Sequence, residues 1–145
     1  MGEKITIWTA ALAAVIIFPC MLTLMMNGRY GKAESRVSAL STGRDVLLQI
    51  DGANMLMDVE QYIAGVLPGL VAPDSEQDII EAQAVAVRTK IYYEMGNNSV
   101  IQASQLEFTY YTKQDYIDKW GEAKYKRIKE IYETAVLNTV GKIIE

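Results

Sequence analysis

The sequence contains no histidine and only one cysteine, Cys20. Without histidine, a Ser-His-Asp or Cys-His site is excluded, because the nucleophile in both depends on an imidazole base. The usual zinc ligands are missing from the part of the chain that follows Cys20, and a single cysteine excludes an intrachain disulfide. We therefore predict no metal site and no bound cofactor. Any catalysis would rest on carboxylate, lysine or tyrosine side chains, or on a borrowed cofactor.

An excess of positive charge is missing as well. The chain has 14 lysine and arginine residues against 18 aspartate and glutamate residues, a formal net charge of −4. The only charged side chains before residue 27 are Glu3 and Lys4, so the rest of the chain carries the same net charge. A nucleic-acid partner would require a basic face, and we predict no such partner.

Charge is absent altogether from residues 5–26, ITIWTAALAAVIIFPCMLTLMM. At about 1.5 Å per residue this run would span roughly 33 Å as a helix, enough to cross a hydrocarbon core of about 30 Å. A cleaved signal peptide is the alternative, but the run is long for its apolar region and no Ala-x-Ala-like site precedes Gly31. We predict a tail over residues 1–4, an uncleaved transmembrane signal anchor over residues 5–26 and a linker over residues 27–44.

The remaining residues, 45–145, are enough for one modest domain. Residues 45–57 predict a hairpin of two short apolar strands around an Asp-Gly turn. Asp58, with Gln61 three residues later, predicts a capped helix over about residues 59–67, which a Pro-Gly pair would end.

A longer helix is predicted from about residue 76 to residue 95, with Ser75 and Asp78 as its capping signal. Its middle, Ala-Gln-Ala-Val-Ala-Val, is apolar on all sides. We therefore expect this helix to be buried in the centre of the domain.

The last third of the chain adds two more helices. Residues 104–111 predict a strand or an extended loop, and Thr112 with Asp115 begins a helical stretch that reaches about residue 120. Residues 122–138 have apolar positions at helical spacing, and residues 141–145 predict a strand. The predicted fold class is α+β. The hairpin and the C-terminal strand form a small sheet, and a central buried helix is accompanied by two or three further helices.

Two segments are the most specific feature of the chain: Val59 to Pro68, VEQYIAGVLP, and Ala82 to Thr89, AQAVAVRT. They resemble the stage II sporulation protein D and amidase-enhancer family of bacterial cell-wall proteins. In that family a run like E-E-Y-x-x-G-V-V-x-x-E-M-P precedes A-Q-A-V-A-A-R-T-Y by a fixed interval. The interval from Gly65 to Ala82 matches it without a gap. The resemblance covers about residues 45–145, and only the first half of a full-length relative.

The resemblance implies work on peptidoglycan at the outer face of the cytoplasmic membrane. The sporulation member of the family is a lytic transglycosylase that cleaves glycan strands stripped of stem peptides. It acts with a partner amidase and a membrane scaffold. The basic residues Arg29, Lys32 and Arg36 would favour the opposite orientation by the positive-inside rule. We follow the resemblance and expect a single-pass protein with its C-terminal domain outside the cell membrane.

The resemblance also places the family's catalytic glutamate at Leu70, and leucine cannot protonate a glycosidic oxygen. Three neighbouring carboxylates are weak substitutes, Glu60, Asp74 and Glu76, because cleavage needs a correctly placed acid. Leu70 itself has two interpretations: it lies in a cleft that still binds glycan, or it has become part of the core. The neighbouring apolar residues favour the second.

Four residues are candidates for binding substrate: Gln83, Arg88, Tyr110 and Tyr111. Gln83 and Arg88 would donate to sugar hydroxyls, although a buried carboxylate partner suits an arginine equally well. The tyrosines would pack against sugar rings, although most tyrosines in this chain are expected in the core or at its boundary.

Three functions follow as hypotheses. The first is a degenerate, non-catalytic family member that binds glycan or a partner hydrolase. The second is an active lytic transglycosylase that uses a substitute acid or a second chain. The third is a membrane-anchored interaction domain with no function in the wall.

Overall fold

The computed structural model of the protein describes residues 36–145. The predicted tail, the membrane anchor and most of the predicted linker lie outside these residues. No helix within residues 36–145 is long and apolar enough to cross a membrane. The elements follow one another as two strands, two helices, one strand and two helices: β1 (Asp45–Ile50), β2 (Ala53–Asp58), α1 (Val59–Val66), α2 (Gln77–Met95), β3 (Val100–Gln102), α3 (Lys113–Trp120) and α4 (Glu122–Asn138).

The three strands form one sheet in the order β2-β1-β3. Strands β1 and β2 are antiparallel and pair from Asp45 opposite Asp58 to Ile50 opposite Ala53. The turn between them has positive φ at Asp51 (50°) and Gly52 (80°). Such a turn matches the natural twist of a two-residue hairpin. The predicted hairpin is therefore confirmed.

The third strand is not the one that the sequence predicted. Val100–Gln102 pairs in parallel with β1, after α2 has carried the chain back to the free edge of the hairpin. Residues 142–145 form no strand. Their backbone is bound by α2 instead: Arg88 Nη1 donates to the Lys142 carbonyl (3.1 Å), and the Ile144 N–H donates to Thr89 Oγ1 (3.0 Å). The prediction of a C-terminal strand was wrong because β3 takes the edge of β1.

The residues before β1 also belong to this unit. Val37 is buried in the core, and Thr42 donates to the Asp58 carboxylate from its backbone N–H (2.6 Å) and from its hydroxyl (2.8 Å). The end of the predicted linker, residues 36–44, therefore packs with the domain. Apolar burial at one position and a shared carboxylate at another are contacts that a polar sequence pattern does not reveal.

Helix α1 is capped by Asp58, whose Oδ1 accepts a hydrogen bond from the Glu60 N–H (2.9 Å). Asp58 therefore caps the helix as predicted, but the predicted capping box is not formed, because Asp58 accepts from Glu60 and not from Gln61, whose side chain donates to the Ser38 carbonyl (2.9 Å). The chain then tightens into a short 3₁₀ turn, Leu67–Gly69, with Pro68 in its first turn. Proline fits there because its missing N–H is not needed.

Helix α2 has the predicted length but not the predicted burial. Its N-cap is Glu76, without a side-chain hydrogen bond, so the predicted cap at Ser75 was wrong. One face is buried, at Ile80, Ala84, Val87, Arg88, Ile91 and Met95. The opposite face is open within residues 36–145: Ile79 is 52% exposed and Tyr93 is 83% exposed. The expectation of burial on all sides is wrong for the described part of the chain.

The last two helices were predicted closely. Thr112 and Asp115 form the predicted capping box of α3. The side-chain and backbone hydrogen bonds from Thr112 lower the pKa of Asp115. Helix α4 covers Glu122–Asn138, and it packs its predicted apolar stripe into the core through Ile128, Tyr132, Ala135 and Val136.

One buried tyrosine in this core has a hydroxyl group with no hydrogen-bond partner among the described residues. Tyr62 on α1 is fully buried, and its hydroxyl has no hydrogen-bond partner within residues 36–145. Its ring stacks on that of Tyr110 at 5.8 Å between centroids. Burial raises the pKa of Tyr62 to about 12. Because the unfolded value is about 10, the folded state holds this proton more tightly, and stability falls as the pH rises from about 10 to about 12.

We expect Tyr62→Phe to raise the free energy of unfolding at pH 7 by about 1 kcal/mol, because it removes an unsatisfied buried hydroxyl. The gain should grow at pH 11, where the parent loses stability. Urea unfolding at both pH values measures it. Tyr132→Phe is the control, because the Tyr132 hydroxyl donates to the Val71 carbonyl (2.7 Å), and its loss should destabilise. A Tyr62→Phe protein less stable than the parent at pH 7 would contradict the prediction.

Candidate functional site

The turn that connects α1 to α2 presents Leu70 to solvent. We call residues 67–72 the Leu70 turn. Its backbone is closed by hydrogen bonds from the N–H groups of Leu70 (2.9 Å) and Val71 (3.0 Å) to the Leu67 carbonyl. Leu67 is fully buried, whereas Leu70 is 43% exposed. The interpretation of Leu70 as a core residue is therefore wrong, and this position faces outward.

Three side chains from later in the chain brace the Leu70 turn. Tyr132 on α4 donates its hydroxyl to the Val71 carbonyl (2.7 Å), and Lys119 on α3 donates to the Pro68 carbonyl (3.2 Å). The ring of Tyr111 lies against Gly69, where an added Cβ would be 2.9 Å from Tyr111 Cε2. The turn is thus held by contacts distant in sequence as well as by its own backbone hydrogen bonds.

The two predicted tyrosines have different surroundings. The Tyr111 N–H donates to the Gly65 carbonyl (2.8 Å), which places the pair Tyr110-Tyr111 along α1. Tyr110 packs on the helix at Gly65 and stacks on Tyr62, as a packing residue does. Tyr111 is half-buried and lies at the Leu70 turn. Of the two, Tyr111 is the one whose ring contacts the Leu70 turn.

A residue that the sequence analysis did not single out completes this surface. The Lys119 ammonium lies 5.0 Å from the ring centroid of Tyr111 and 4.7 Å from that of Trp120. Trp120 is half-buried and Lys119 is exposed. We call Leu70, Tyr111, Lys119 and Trp120 the turn surface. Lysine, tyrosine and tryptophan scattered over ten positions carry no motif, so only the fold brings them together.

The predicted ligand Arg88 is enclosed rather than open. Its guanidinium makes a two-pronged ion pair with Glu60, Nε to Oε1 at 2.8 Å and Nη2 to Oε2 at 2.6 Å, and both side chains are fully buried. Two further donors reach the Lys142 carbonyl (3.1 Å) and Thr139 Oγ1 (3.5 Å). This geometry does not support sugar binding by Arg88 or acid catalysis by Glu60, because each group is already engaged by the other.

The other predicted site residues lie outside this buried ion pair. Asp74 and Glu76 are exposed in the segment before α2, without the apolar enclosure that a carboxylic acid needs to act as a general acid. Gln83 is half-buried on α2, and no side-chain hydrogen bond joins it to another residue of the described part. Within residues 36–145, no group of three or more Asp, Glu, Cys or His side chains is arranged to hold a metal ion.

The two motif segments, residues 59–68 and 82–89, lie inside a region that matches a known protein family. The sequence model of the stage II sporulation protein family (SpoIID) matches residues 52–145, and the chain belongs to this family. It is similar to stage II sporulation protein D of Bacillus subtilis (strain 168), at 30% identity over 94 residues, which cover 59% of this chain and 27% of that protein. The family prediction is therefore confirmed. The chain spans about a quarter of the length of the curated relative that it matches.

The ion pair of Glu60 and Arg88 should dominate stability. Arg88→Met leaves a buried carboxylate without its partner, and we expect a loss of about 3–5 kcal/mol in the free energy of unfolding, measured by urea denaturation of residues 36–145. The double variant Glu60→Leu/Arg88→Met should lose much less than the sum of the two single changes. Lys90→Met is the control, because the Lys90–Glu107 pair is exposed and should contribute at most about 1 kcal/mol. Additive single losses would contradict the coupling.

Gly65 is required by the ring that lies on it. A Cβ at residue 65 would come within 2.2 Å of Tyr110 Cε2, so we expect Gly65→Ala to destabilise by about 1–3 kcal/mol through overpacking. Tyr110→Leu in the same protein should recover part of this loss, because the smaller side chain makes room for the methyl group. The double-mutant cycle is measured by urea unfolding. A Gly65→Ala protein as stable as the parent would show that the ring is not in this place.

Proposed function

We propose that this chain is a membrane-anchored cell-wall protein that binds peptidoglycan glycan strands at its turn surface without cleaving them. One observation supports this function above the others. The Leu70 turn is exposed and braced from α3, α4 and Tyr111, yet the position that family resemblance assigns to the acid holds an exposed leucine. In this proposal, residues 5–26 anchor the chain in the cytoplasmic membrane, and the described domain lies outside.

Cleavage of a glycosidic bond requires an acid that protonates the leaving oxygen. Leu70 has no proton to give. Glu60, in the first turn of α1, is paired with Arg88, and Asp74 and Glu76 are exposed without an enclosing surface. Binding of a glycan strand does not require such an acid. The exposed part of Leu70 and the partly exposed rings of Tyr111 and Trp120 offer apolar surface to the C–H groups of a sugar ring.

A second candidate function is supported by the open face of α2. Ile79, Ala82, Ala86 and Tyr93 are exposed along one side of this helix within residues 36–145. An exposed apolar stripe is typical of a protein–protein contact. It would suit a partner amidase, a membrane scaffold protein or a second chain that completes the site. This candidate is an interaction domain, and glycan binding separates it from the first.

The test incubates residues 36–145 with peptide-free glycan strands. We expect the domain to be retained on the glycan and to release no anhydromuramyl ends, because no acid is placed at residue 70. Mass spectrometry of the released sugars and co-sedimentation with the strands measure the two properties. Anhydromuramyl products from the parent domain would overturn the non-catalytic proposal, and the carboxylates of Asp74 and Glu76 would then be replaced in turn.

The matched variants are Leu70→Glu and Leu70→Gln. They have nearly the same size and shape, but only the glutamate can donate a proton as an acid. Cleavage by Leu70→Glu alone would show that the turn retains a catalytic geometry. Absence of glycan retention by the parent domain would reject glycan binding and favour the interaction domain, whose contact surface Ile79→Glu and Tyr93→Glu would then disrupt.

A further inference from the structure

The two outer edges of the sheet differ in how they are protected from pairing with another strand. The edge at β3 is three residues long, and so short an edge offers little backbone to a further strand. The edge at β2 is six residues long. Proline and charged side chains normally protect such an edge, and residues 53–57 of β2 contain neither. The β2 edge therefore lacks the usual protection.

The hairpin geometry shows which backbone groups of β2 point outward. Ile50 and Ala53 flank the two-residue turn, so they exchange hydrogen bonds, and every second pair along the ladder does the same. The alternate residues of β2, Asn54 and Leu56, therefore direct their N–H and C=O groups away from β1. Within residues 36–145, no hydrogen bond reaches these four backbone groups. They are available to a further strand.

The side chains along this edge are apolar and exposed on both faces of the sheet. Met55 is 48% exposed and Leu56 is 57% exposed, and neighbouring residues of a strand point to opposite faces. Met55 shares its face with Met57, which is buried in the core. A strand added at this edge would remove apolar surface from water on both faces, in addition to pairing the backbone.

We propose that the β2 edge pairs with the β2 edge of a second copy of this chain. In an antiparallel arrangement with a two-fold axis at Met55, Asn54 lies opposite Leu56 of the second copy. The outward groups of these residues then form four backbone hydrogen bonds, and Met55 lies opposite Met55 of the second copy. The two three-stranded sheets join into one sheet of six strands.

The charges of the chain favour a second copy at this edge. Two copies with a net charge of −4 repel each other, and an uncharged edge lets them meet without placing like charges face to face. Asp58 is the one charged residue of β2, and it is buried and engaged by Thr42. In the proposed register Asp58 lies opposite Gly52 of the second copy, not opposite another carboxylate. A charged peptide would find no complementary charge at residues 53–57.

The size of the contact determines how strong this dimer is. Each copy contributes one strand edge and two apolar side chains, which is less than the roughly 800 Å² per partner that a stable dimer buries. We therefore expect a reversible dimer that forms at high local concentration. Binding of glycan at the turn surface does not enter this inference.

Disulfide trapping tests the proposed register. The full chain with Cys20→Ala is prepared in detergent micelles, and single cysteines are introduced by Met55→Cys or Leu56→Cys, at two positions that are both exposed. Across the two-fold axis the Cα atoms of residue 55 would lie about 4.5 Å apart, which permits a disulfide. The two copies of residue 56 would be offset by roughly 7 Å along the strands. We expect the disulfide dimer to form about five-fold faster, or more, at residue 55, measured on non-reducing gels.

A second pair of variants tests the backbone pairing without a cross-link. Asn54→Pro and Asn54→Ala both remove the amide side chain, but only proline removes the N–H group that points to the second copy. The ladder with β1 does not use this group, so the hairpin tolerates proline there. Analytical ultracentrifugation of the full chain in micelles measures the dimer. We expect Asn54→Ala to keep it and Asn54→Pro to weaken it about ten-fold.

Several outcomes would overturn this dimer. Equal trapping at residues 55 and 56 would indicate random collision, and faster trapping at residue 56 would exclude the register. A dimer that Asn54→Pro leaves unchanged would form at another surface. A chain that stays monomeric would leave the edge to an extended segment of a different protein. If Asn54→Pro does not fold, the comparison of residues 55 and 56 still decides.

Discussion

The buried ion pair of Glu60 and Arg88 is the constraint on which the rest of the domain depends. Each charge is fully removed from water and is tolerated only because the other is present. The pair joins α1 to α2, and its further hydrogen bonds to Thr139 and Lys142 hold the end of α4 against the same point. The Leu70 turn lies in the connection between α1 and α2, the two helices that the pair joins.

The turn is then shaped by close contact between glycines and aromatic rings. Tyr110 lies on Gly65 and Tyr111 on Gly69, at distances that leave no space for a methyl group. Lys119 and Tyr132 add hydrogen bonds from two other helices. The connection is therefore held at several points, with Leu70 exposed on it. The proposal of glycan binding without cleavage rests on this exposed and braced turn.

The order of the elements was predictable because it depends on local signals. The Asp-Gly turn of the hairpin, the Thr112–Asp115 capping box and the apolar stripe of α4 each act within a few residues, and each was found where the sequence placed it. The misplaced strand had a different cause. Residues 141–145 and Val100–Gln102 both suit a strand, and only the path of α2 decides that the second reaches the edge of β1.

The sequence by itself determined the family, because the identities and the interval of the two motif segments are linear properties, and it fixed leucine at residue 70. It could not decide how these residues are used. Arg88 appeared as a possible sugar ligand until the fold paired it with Glu60, and Leu70 appeared to be part of the core until the fold exposed it. Lys119 had no motif at all. Burial and partnership depend on contacts between residues distant in the chain, so only the tertiary structure decided the composition of the surface.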